Sequence, residues 1–125
     1  MIRSRIINLQ LGAIVADESG VTKAVAIMPK TGKIKSIKGW TLAKTGSNAL
    51  QVGVYKSGAA ASTAAASTTL AHSAVLDLTS DALISATMNT DGTQNFIEGE
   101  ALYVKVTSGA TTSCTMMNVQ IEVDY

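Results

Sequence analysis

The residues of this 125-residue chain that could carry chemistry are few and far apart. His72 is its one histidine and Cys114 its one cysteine. A general base must titrate near neutrality beside the group it serves, and a lone histidine without a Cys–His spacing provides no such arrangement. The same shortage removes any histidine-based metal cluster. His72 is expected at a strand edge or in a loop. Cys114, inside an alternating apolar run, is expected as a small buried core residue. A single cysteine forms no intrachain disulfide, which fits folding inside a cell.

Two further motifs point to chemistry and fall short of it. The Lys-Thr-Gly triplets at Lys30–Gly32 and Lys44–Gly46 also occur in the serine acyl-transferases of cell-wall enzymes and in β-lactamases. Those enzymes need a nucleophile in S-x-x-K, and no serine here stands three residues before a lysine. In the nearest case, "SGVTK", Ser19 and Lys23 are four apart. The S-D-N element is also missing, so the triplets read as turn chemistry. "TMNTDGTQNFIE" lays Asn89, Asp91, Gly92, Asn95 and Glu98 on positions 3, 5, 6, 9 and 12 of a calcium loop. Position 1 holds Thr87 instead of an acid, and the segment after Glu98 reads as a strand instead of a helix. The expectation is no catalytic residue, no metal, no cofactor, no small-molecule substrate, and hence no enzyme.

The most concentrated signal is "KTGKIKSIKGW", Lys30 to Trp40, with Lys33, Lys35 and Lys38 beside the only tryptophan. Three readings compete: a nucleic-acid patch, a solvated strand face, and a protein-docking face. Net charge is +1, but residues 1–56 carry +7 and residues 57–125 carry −6. A single aromatic is a thin stacking platform, and the acidic half would repel a phosphate backbone. Nucleic acid is therefore not expected. The segregated charge suggests complementary faces between copies, or adjacent strands of opposite sign paired with each other.

The elements that must hold these residues are strands. The chain is 46% hydrophobic, 15% charged and 4% aromatic, with Val, Ile, Leu and Met as core material. Its length suits one domain, residues 1–125, able to bury roughly two thirds of its unfolded surface. No stretch approaches the roughly eighteen apolar residues that a membrane helix needs, so no membrane partner is expected.

From Cys114 to Tyr125, apolar Met117, Val119, Ile121 and Val123 alternate with Asn118, Gln120, Glu122 and Asp124, the period of a half-buried strand. "ALYVKVT" alternates likewise, and the turn-rich "TSGATTS" between the two suggests an antiparallel pair. Ile7, Leu9 and Leu11 mark a strand near the N-terminus, a segment read as mature chain because Asn8 and Gln10 break any leader-like run. Val25 and Ile27 mark another strand, stopped by Pro29. Leu50, Val52 and Val54 mark a third. "HSAVLDL" and "LISATM" complete the set, although "TSDALISA" could hold a helical turn capped by Ser80 or Asp81. About eight short strands without helices between them predict an all-β antiparallel β-sandwich of jelly-roll type. Gly58 to Thr69, "GAAASTAAASTT", reads as a surface loop or a short Ala-rich helix.

With the strands laid out, the chain resembles the small jelly-roll decoration (cement) proteins of tailed bacteriophage capsids. "VTKAVAIMPKTGKIKSIKGWTLAKTG" is similar to their strand, turn and strand, with a P-x-x-G-x-I opening. "FIEGEALYVKVTSG" is similar to their glycine-acidic entry to a late strand, and an alternating strand closes the sheet at the C-terminus. The resemblance implies a homotrimer, made in the host cytoplasm, that sits on the outer capsid surface of the virion and bridges major capsid proteins. Arg3, Arg5, Lys33, Lys35 and Lys38 would then be its contact residues. The alternative is a receptor- or carbohydrate-binding knob of a phage tail or fibre, which can share the fold. Such sites usually cluster aromatics, and here Trp40, Tyr55, Tyr103 and Tyr125 are scattered along the sequence.

Overall fold

The computed structural model describes residues 3–48, 50–60 and 69–125, and these residues form strands and turns without a helix. Ten strands follow in order: β1 (Ser4–Ile14), β2 (Val21–Ile27), β3 (Gly32–Leu42), β4 (Leu50–Ala60), β5 (Thr69–Leu70), β6 (Leu76–Leu78), β7 (Ile84–Ser85), β8 (Asn95–Phe96), β9 (Glu100–Ser108) and β10 (Cys114–Asp124). They make two five-stranded sheets. The first runs β1-β10-β3-β7 with β8 also on β3, and the second runs β2-β9-β4-β5 with β6 also on β4.

The winding follows from the pairs. β1 lies antiparallel to β10, β2 to β9, β3 to β8 and β4 to β5. A long antiparallel ribbon, folded so that successive rungs fall in alternate sheets, is a jelly roll. The expected class is therefore the observed one, with ten strands where about eight are legible. The two extra strands, β5 and β8, are two-residue pieces, too short to show a period.

One pairing differs from expectation. β9 and β10 are consecutive and strongly alternating, yet they lie in different sheets. The connection "TSGATTS" crosses the sandwich instead of closing a hairpin. Alternation reports that a strand has a buried face but not which strand lies beside it. "TSDALISA" also forms no helical turn: Asp81 is left-handed at φ 59°, and Ser80 bridges Thr41 of β3. Most of the Gly58–Thr69 segment, residues 61–68, lies outside the described residues.

The core fills the space between the sheets as the alternation requires. Ile34 and Ile37 of β3 and Met117, Val119, Ile121 and Val123 of β10 face Val52 and Val54 of β4 and Leu102, Val104 and Val106 of β9, all fully buried. Phe96 and Met28 close one end. Gly32 begins β3 where the chain passes against the end of β10. A Cβ there would stand 2.1 Å from the Asp124 carbonyl oxygen, so only glycine fits.

Candidate functional site

The outer face of the first sheet carries the most organised set of polar side chains. Gly39 and Thr41 point into the sandwich, so their neighbours Lys38 and Trp40 point out. Trp40 lies directly opposite Asn118, and Lys38 opposite Gln120. On the other side of β10, Asn8 of β1 lies opposite Gln120, and the Gln120 amide donates to Asn8 Oδ1 at 3.3 Å. These residues and the exposed Leu83 enclose a shallow groove of about 240 Å³. The Asn118 Oδ1 is buried and has no hydrogen-bond partner among the described residues. Trp40, Lys38, Asn118 and Gln120 are all half-buried.

The five basic residues singled out from the sequence lie on this same sheet but not in one cluster. Arg3 and Arg5 sit at the exposed start of β1, where Arg3 exchanges backbone hydrogen bonds with Tyr125. Lys33 and Lys35 are exposed on β3, and Lys33 lies opposite Asp124 of β10. Lys35 pairs with Glu122 at 3.5 Å. β10, with its two acids, thus separates the arginines from the lysines. The opposite signs of the two sequence halves meet, at least here, as adjacent strands within the fold. Lys38 belongs to the groove.

The second sheet is apolar on its exposed edge. Among the described residues β2 pairs only with β9, and Val21, Val25 and Ile27 along it are 39%, 47% and 55% exposed. Val25 lies opposite Tyr103, and Tyr103 opposite Tyr55. Lys105 stands 4.9 Å over the Tyr55 ring. Two tyrosines that look scattered in the sequence are therefore cross-strand neighbours on one outer face.

The remaining candidates have structural duties. On the edge of β4 away from β9, β6 pairs with Leu50–Val52 and β5 with Tyr55 and Lys56, which leaves Val54 between them without a strand partner on that edge. His72 fills that gap. Its Nε2 accepts from the Val54 N–H at 3.1 Å, and its Nδ1–H donates to the Ala74 carbonyl at 2.5 Å. The ring is 1% exposed, and burial pushes its pKa below the ordinary histidine value. The expectation of a strand-edge or loop residue is right in place, but His72 is sealed inside the protein. Cys114 is buried, and burial raises its thiol pKa.

In the loop that imitates a calcium site, Asp91 Oδ1 accepts from both the amide and the hydroxyl of Thr93. These bonds hold its carboxyl below the usual value. Asn89 donates to the Leu70 carbonyl and to Thr93. Among the described residues no three His, Cys, Asp or Glu side chains gather. A hollow of about 360 Å³ beside Phe96 and Ile97 holds the buried Glu100, 4.0 Å from Lys56 Nζ. Glu100 Oε1 accepts from the Ile97 amide, and Lys56 donates to the Asn95 carbonyl. The pair ties the turn before β9 to β4.

The groove around Trp40 escapes sequence reasoning because its members come from β1, β3, the approach to β7, and β10. The available signal was the run of amides, Asn8, Gln10, Asn118 and Gln120, on the polar phase of two alternating strands.

No protein-family model matches the chain, and no curated protein matches it. Among solved structures the chain is similar to one in "Structure of infectious bursal disease virus Gx strain", at 11% identity and a TM-score of 0.42. The match covers 98% of this chain and 36% of that one, so this chain spans about a third of that protein's length. A likeness of that size carries no inference about function.

Proposed function

We propose that this chain is a virion structural protein, a decoration protein that seats as a homotrimer on the outer surface of a phage head and bridges major capsid proteins. The observation that carries the reading is β2. An unpaired strand edge with three exposed branched side chains costs free energy in water and offers itself for pairing, so natural proteins cover it. β1 is the terminal strand of the other sheet and touches β2, which puts both edges left unpaired among the described residues on one side of the sandwich. Burying this side against neighbouring chains would add apolar area at a junction. Binding to the assembled shell alone would stabilise that shell by linkage. Arg3, Arg5, Lys33 and Lys35 offer charged contacts at the margin, where they would set orientation more than affinity.

The test is binding of the chain to empty, expanded heads of the phage that encodes it, followed by a thermal challenge of the loaded heads. Val25→Lys with Ile27→Lys should lower occupancy about tenfold or more, since each buries an apolar side chain in the proposed contact. Wild-type occupancy by the double variant would overturn the role of β2. Charge reversal at Lys33, Lys35 and Lys38 that leaves occupancy unchanged would remove the lysines from the contact. A monomeric mass in solution at micromolar concentration would count against the trimer.

A further inference from the structure

We propose that the groove on the outer face of the first sheet binds a saccharide, a single pyranose ring stacked on Trp40 and held by the amides of Asn118, Gln120 and Asn8. This inference goes beyond the decoration reading and uses the opposite face of the sandwich from the one that carries Val25, Tyr103 and Tyr55.

The chemistry of the lining selects the ligand class. A pyranose has one face of C–H groups and an edge of hydroxyls that each donate and accept. An indole ring takes the first by stacking on its electron-rich face, and carboxamides, which also donate and accept, take the second. Trp40 is half-buried on β3, a strand with partners on both sides, and it lines the groove. Asn118 lies directly opposite it, and its buried Oδ1 has no partner among the described residues. An acceptor left unpaired is costly, and a turn of the amide toward the groove would pair it with a ligand hydroxyl. Gln120 and Asn8 are linked at 3.3 Å, and both line the groove. Leu83, 62% exposed, forms an apolar rim. The volume of about 240 Å³ suits one ring with its neighbours left in solvent.

Other occupants fit less well. Three neutral amides make a site for a polyol, and Glu122 and Asp124 on the same strand would oppose a phosphate backbone. Lys38 is the one charge in the groove, and it would favour a sugar bearing a carboxylate over its neutral counterpart.

The experiment begins with the full-length chain on a microarray of neutral and acidic pyranosides, continued by titration of the bound sugars in solution. Trp40 is the only tryptophan, so its emission reports the groove alone. The expected result is saturable binding with a change in Trp40 emission. Asn118→Ala should weaken it about tenfold. Leu83→Arg, a change at an exposed rim position that the fold tolerates, should close the groove and abolish binding. Calorimetry of Trp40→Ala should show binding lost, with its thermal unfolding compared to wild type. Three results overturn the proposal: no pyranoside bound above background, bound sugars that leave Trp40 emission unchanged, or equal affinity in Asn118→Ala and Leu83→Arg. A response to a single-stranded oligonucleotide and to no sugar would also overturn it. Asn118→Ala and Leu83→Arg should keep wild-type occupancy on phage heads, so loss of this proposal and loss of the decoration reading are separate outcomes.

Discussion

His72 illustrates how a residue suited to chemistry becomes part of the scaffold. Its imidazole stands in for a missing strand partner of Val54, and this holds the ring in the neutral, Nδ1-protonated form. Protonation would turn Nε2 from acceptor to donor against the Val54 N–H. The pKa is lowered in the folded protein, so the unfolded chain takes up the proton first as pH falls. Stability from this group is full above about 6.5, the unfolded value, and is lost as pH falls below it toward the folded pKa. Thermal midpoints should therefore drop between pH 7 and 5 and recover on neutralisation. A His72→Gln variant should lose that dependence, because no other histidine is present. A wild-type midpoint that does not move over this range would contradict the assignment. The sequence shows that His72 has no catalytic company, but its partner is a backbone amide eighteen residues away, and backbone partners leave no trace in residue type.

At the scale of elements, alternation in β1, β4, β9 and β10 makes their buried faces readable, and Pro29 marks the end of β2 as expected. The turn after it needs Gly32 for a reason that is not local. The glycine's missing side chain makes room for the Asp124 carbonyl, more than ninety residues later. Gly32→Ala should force β3 and β10 apart and cost about 1–3 kcal/mol. Urea unfolding would show it as a lower midpoint at an unchanged slope. An unchanged midpoint would mean that the two strands separate freely at this end. The lysines of β3 show the same dependence on neighbours. Lys35 meets Glu122 because β10 lies between β1 and β3, and an exposed pair of this kind is worth little in stability. Its effect is to divide the basic residues that look continuous in the sequence.

At the scale of the whole molecule, three of the four rungs of the ribbon join strands distant in sequence: β1 with β10, β2 with β9, β3 with β8. Loop-closure entropy must be overcome before any of these pairs forms, so refolding should take milliseconds to seconds, followed by Trp40 emission. Refolding in microseconds would be inconsistent with this topology. Composition, the lack of a helical period, and two-residue alternation determine by themselves that the chain is an all-β sandwich and which side chains fill its core. These are local properties, set by the geometry of a strand with one wet face and one dry face. Strand order is not local. It alone decides that the two last strands part company, that β2 is left as an apolar edge, and that Lys38 and Trp40 stand beside Asn118, Gln120 and Asn8. Hydrogen bonding between backbones is the same for every neighbour, so only the closing of the sandwich around its core selects which strands meet.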